Sequence, residues 1–88
     1  MATFDVAHIN VQGQDIIIVP LDREPTPEQI DGLQACATSA GLAGTVCPVW
    51  QEFGRIRFIA PRPWHPFFQS LTWPAICANI NKKLTCNW

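Results

Sequence analysis

Residues 15–21 read "DIIIVPL", with four β-branched residues in a row between an aspartate and a proline. A run that is apolar at every position, rather than at alternate ones, is the pattern of a strand buried on both faces. Upstream, "TFDVAHI" (3–9) alternates, and "NVQGQ" (10–14) is a polar turn centred on Gly13. Residues 3–21 therefore predict a β-hairpin whose second strand lies deep in the fold.

Downstream, "DREPTPEQ" (22–29) marks a helix start. Thr26 is placed as the N-cap, Pro27 as the first helical residue, and Gln29 completes a capping box. Ile30, Leu33, Ala37 and Ala40 recur on one face, and Gly41 followed by Leu42 suits a Schellman stop, so the helix spans 27–40. The second half repeats the order. "GTVCPVW" and "RIRFIAP" are strands joined by "QEFG", where Gly54 supplies a positive φ. After a short helical turn at "HPFFQS", Thr72 caps a helix carrying Trp73, Ile76, Ile80 and Leu84 on one face. The expected fold is α+β: a ββαββα order building a four-stranded, mostly antiparallel sheet with two helices on one face, as a single domain over residues 1–88.

With Lys+Arg at 6 against Asp+Glu at 7, the chain has no global attraction for nucleic acid or an anionic membrane. The start, "MATFDVAHIN", lacks the basic and apolar regions of a secretory signal, and no apolar stretch approaches the length of a membrane span. The expected compartment is the cytoplasm, with no membrane association. Cys36, Cys47, Cys77 and Cys86 contain no C-x-x-C and read as buried or incidental thiols. A scattered zinc site drawing on His8 and His65 is the sharper alternative; the expectation is no metal and no cofactor.

Four blocks, "AHINVQGQDIIIVPLD", "GLAGTVCPVW", "RIRFIAPRPWHPFF" and "ANINKKLTCNW", resemble successive segments of a family of small uncharacterised proteins encoded on integrative and conjugative elements of proteobacteria. The resemblance covers most of the chain from residue 7 onward. In that family the position of Cys47 is usually valine, and cysteines at 36, 77 and 86 are not part of the pattern. The resemblance implies an accessory role on a mobile element in a bacterial cytoplasm, and no particular activity.

Enzymatic chemistry finds little to build on. A nucleophile needs a base within hydrogen-bond reach and a group orienting that base. His8 falls in the first strand and reads as structural, whereas His65 lies at an element boundary, where sites often sit. Asp5, Asp15, Asp22 and Glu24 are available to assist it, but no recognised catalytic or phosphate-binding motif surrounds them. No catalytic residue is assigned, and a small enzyme using His65 is the third reading.

Nucleic-acid binding comes second. Period-two alternation along "RIRFI" sends Arg55 and Arg57 to the same face, and Arg62 continues the basic line toward Trp64, the combination with which single-strand binders hold phosphate and stack a base. The plainer alternative is a solvated face with these arginines paired to Glu52 or to aspartates.

The leading reading rests on aromatic content. Four tryptophans and five phenylalanines exceed what a thin helix-on-sheet core readily hides. In "PRPWHPFF" (61–68) prolines stiffen a segment bearing Trp64, His65, Phe67 and Phe68, a form suited to docking. The plainer alternative is a crossover whose rings close the core. The sheet face left bare by two helices on one side predicts self-association, and Trp88 is expected to act as a core plug or as a hook. The chain is thus read as a non-enzymatic accessory or binding protein working through protein–protein contacts, with a protein partner or a homo-oligomer.

Overall fold

The hairpin forms as β1 (Ala2–Val11) and β2 (Gln14–Pro20), with Ile9 opposite Ile16 and Val11 opposite Gln14. Gln12 and Gly13 close it with positive φ at both positions, +53° and +82°, the two-residue turn whose twist matches that of the strands. The computed structural model describes residues 2–87.

Thr26 caps α1 (Pro27–Ser39) as expected: its Oγ1 accepts from the Gln29 N–H at 3.2 Å, and the Gln29 Oε1 accepts from the Thr26 N–H at 2.9 Å. The helix stops in a Schellman motif, with the Leu42 N–H donating to Ala37 O and the Gly41 N–H to Thr38 O, and Gly41 at φ +79°. The chain then enters β3 (Thr45–Glu52) parallel to β2, Ile17 beside Val46 and Val19 beside Pro48. The Gln34 amide steers this entry, donating to Gly44 O and accepting from the Val46 N–H.

β4 (Arg55–Phe58) returns antiparallel to β3 through a second two-residue turn, Phe53–Gly54, at φ +53° and +76°. It stops where Pro48, buried in β3, has no N–H to offer: Ile59 donates to Pro48 O at 3.1 Å, but the reciprocal bond cannot form. A 3-10 turn at Arg62–Trp64, α2 (His65–Gln69) and α3 (Trp73–Ala78) follow. The chain ends in β5 (Lys82–Cys86), antiparallel to β1. The sheet order is β4-β3-β2-β1-β5.

This α+β fold departs from the expected one in three respects. The sheet has five strands and is mixed, because α1 is a crossover between parallel β2 and β3. The final helix ends at Ala78, and Leu84 belongs to a strand: Leu84 and Cys86 are buried at alternate positions, while the Asn81 side chain pairs with both the N–H and the C=O of His8. Third, the helices do not share a face. α1 lays Leu33 and Ala37 over Val6, Ile17, Val19, Val46, Trp50 and Leu84, whereas Trp64, Phe68 and Ile76 cover Ala7, Ile16, Ile18, Cys47 and Val49 on the other side. β2 is therefore buried on both faces, as its apolar run implies. Among the described residues, both faces of the sheet's centre are covered, so the bare face that the expected self-association needs is not found.

Cys36 on α1 and Cys86 at the end of β5 form a disulfide, their Cα atoms 5.7 Å apart, so these two are neither incidental nor free thiols. Cys47 is a buried thiol and Cys77 an exposed one. Among the described residues no helix is long and apolar enough to cross a membrane.

Candidate functional site

The segment "PRPWHPFF" folds down onto the sheet. Trp64 is 7% exposed and Phe68 1%, and His65 and Phe67 are half-buried around them. Phe68 stacks on Phe58 with ring centroids 5.2 Å apart and 21° between planes, and Phe67 meets Phe68 edge-on at 5.4 Å. Rings of this size remove about 150–250 Å² each from water, enough to explain the aromatic pair as the closure of the second core. Trp73 joins the same cluster. Trp88 lies outside the described residues.

Among the described residues each histidine ring nitrogen that is hydrogen-bonded meets a backbone carbonyl, not a carboxylate or a thiol. The His65 Nε2–H donates to Ala60 O at 2.8 Å and its ring packs edge-on against Phe58. The His8 Nε2–H donates to Ala43 O at 2.8 Å, pinning the loop that precedes β3. Burial pushes the Cys47 thiol up to about 12, which keeps it protonated and weakly nucleophilic at neutral pH. Among the described residues no three of His, Cys, Asp and Glu gather where a metal ion could be held.

The arginine line is split. Ile56 and Phe58 face the core beside α2, so alternation turns Arg55 and Arg57 to the α1 side of the sheet, while Arg62 sits in the 3-10 turn of the opposite layer. Trp64, the intended stacking ring, is covered. The pairing of these arginines with carboxylates is also missing: Glu52 accepts from the Trp50 indole N–H at 3.3 Å, and the ion pair found among the described residues is Arg23 with Asp22. Arg55 and Arg57 are exposed, and among the described residues no carboxylate lies within salt-bridge distance of either.

What the fold does leave open is the end of the sheet at the β3–β4 hairpin. Phe53 is 96% exposed, the one large ring in the open among the described residues. It occupies the first position of its turn at φ +53°, where glycine and asparagine are favoured and a phenylalanine is strained. Beside it a groove of about 670 Å³ runs between the hairpin and the α2–α3 connection, with Ile56, Phe58, Leu71 and Trp73 and also the polar Gln51, Arg55, Gln69 and Thr72 in its lining. Another, of about 500 Å³, lies under the start of α1 near Phe4 and Leu21, where Arg23 is already engaged by Asp22.

No family model, curated protein or solved structure matches the chain.

Phe53 is not among the residues that the sequence points to as a site, since the proline-rich segment carries the denser aromatic signal. Its signal is present in "QEFG": an aromatic where a two-residue hairpin turn wants asparagine.

Proposed function

We propose that this chain is a non-enzymatic accessory or binding protein that acts through protein–protein contacts made at the β3–β4 end of its sheet. The observation that carries this is Phe53. Within the subunit its ring buries almost nothing, and its left-handed backbone costs on the order of 1 kcal/mol or more. A side chain that costs stability and contributes no packing is accounted for by a surface it meets elsewhere, and aromatic residues are enriched at such surfaces. The neighbouring groove, of mixed polar and apolar lining, extends that surface. The setting on a mobile element rests on the resemblance of the four sequence blocks.

Binding of single-stranded nucleic acid through Arg55, Arg57, Arg62 and Trp64 has less support, since the arginines lie on two layers and the tryptophan is covered.

Phe53→Asn tests the proposal directly. Asparagine suits the turn, so the variant is expected to be at least as stable as wild type in denaturant titration. In affinity capture from host cells it should lose specific partners that wild type retains. Identical partner lists would remove the hairpin tip as the site. Trp64→Ala is unsuitable for this purpose because it opens the core.

A further inference from the structure

We propose that the free edge of β4 receives an extended peptide by strand addition, and that this peptide alternates apolar with acidic residues. The proposal rests on the binding-protein reading above and specifies its mode and partner.

The phase of the β3–β4 ladder decides which backbone groups are free. A two-residue turn makes Glu52 and Arg55 the first hydrogen-bonded pair, so 55 and 57 bond inward to β3, and the Ile59 N–H bond to Pro48 O continues that phase. The N–H and C=O of Ile56 and Phe58 therefore point away from the sheet. β4 is its terminal strand, and this is the row of donors and acceptors that an added strand pairs with.

Alternation then sets the chemistry of the incoming segment. Residues opposite Ile56 and Phe58 share their face, where those two side chains with Leu71 and Trp73 offer apolar contact beside the polar Gln51 and Thr72 of the groove; an apolar side chain is the cross-strand complement of Ile56 and Phe58. Residues opposite Arg55 and Arg57 emerge on the α1 side, beside two exposed arginines without salt-bridge partners among the described residues. Glu52 is the nearby carboxylate on that face, and it already holds the Trp50 indole. Aspartate or glutamate is the complement. A second copy of β4 fits worse, since the antiparallel registers that pair Ile56 with Ile56 or with Phe58 set Arg57 against Arg55 or Arg57.

The test is an NMR titration of the full, disulfide-bonded chain with three eight-residue peptides that alternate Val with Glu, Val with Ser, or Val with Lys. The expected result is that the Val/Glu peptide shifts and protects the Ile56 and Phe58 amides, and binds about fivefold or more tighter than the Val/Ser peptide. Arg57→Glu, an exposed substitution that leaves the core intact, should reverse the preference toward Val/Lys. Equal affinity for all three peptides, shifts confined to other strands, or concentration-dependent β4–β4 dimers without peptide binding would each overturn the proposal. If no peptide touches β4 while Phe53→Asn still loses captured partners, strand addition fails and the binding-protein reading stands. If Phe53→Asn also loses nothing, both fail.

Discussion

Breaking the Cys36–Cys86 bond should cost this protein a large share of its stability. The bond joins residues 50 apart in sequence, so it removes loop-closure freedom from most of the second half of the unfolded chain. In the chain-entropy picture a loop of that length is worth about 4 kcal/mol. The whole stability of a domain this small is about 5–15 kcal/mol, so the expected fall in melting temperature is on the order of 20 °C. The assay is denaturant and thermal unfolding of oxidised wild type, of the same protein under reductant, and of a Cys36→Ala/Cys86→Ala double variant. Reduction leaves both side chains in place and so separates the cross-link from their packing. The denaturant slope should also steepen on reduction, because the unfolded chain expands. Hydrogen exchange should rise first in β5, which pairs only with β1 and is tied to α1 by this bond. A reduced protein within about 1 kcal/mol of the oxidised one would refute the reasoning. The bond also bears on compartment. Disulfides persist in oxidising surroundings and are rare in a reducing cytoplasm, so the cytoplasmic placement expected from sequence and this cross-link make opposite demands. Thiol trapping on protein taken directly from cells decides between them.

Further predictions concern the core and its turns. At Gly44, φ is +131° and an added Cβ would lie 2.7 Å from Asp15 O, so Gly44→Ala should destabilise by about 2 kcal/mol or more; at Gly32, inside α1, a Cβ meets open space, and Gly32→Ala should stabilise by about 0.5–1 kcal/mol in the same urea titration. Trp64→Ala should cost about 3–5 kcal/mol, and a loss below 1 kcal/mol would contradict its place in the core. Burial raises the Cys47 thiol from 9.0 to about 12, so the unfolded chain gives up this proton first; the associated stability is whole below pH 9 and drains away between pH 9 and 12. Cys47→Val should therefore show a shallower alkaline decline than wild type, and superimposable curves would argue against a buried thiol.

Where local chemistry decided an outcome, the sequence was sufficient. The capping box at Thr26 and Gln29, the Schellman stop at Gly41 and Leu42, the glycine turns at 13 and 54 and the two-sided burial of "IIIV" all depend on residues within a few positions of one another, and all are present. The misjudged features depend on distant pairing. Ile80 and Leu84 stand four apart, which suits a helix, but β1 offers an open edge and Asn81 clamps His8, so "KKLTC" follows a period of two instead. The contact of Cys36 with Cys86 could not be reached from spacing at all, because it exists only after β5 has docked beside β1.

The same distant pairing changes what the aromatic residues mean. Nine rings are too many for one core between a sheet and two helices on one side, and from that premise a surplus at the surface follows. A five-stranded sheet covered on both faces has two cores, and the second absorbs Phe58, Trp64, Phe67, Phe68 and Trp73. Aromatic abundance therefore carries no information about partners here; placement does. Phe53 stands apart because its ring is exposed at a strained turn, beside a groove and next to a strand whose outer edge is free. Gln12 occupies the matching position of the other hairpin at the same φ of +53° with a polar side chain, which shows that the turn geometry itself does not call for a ring.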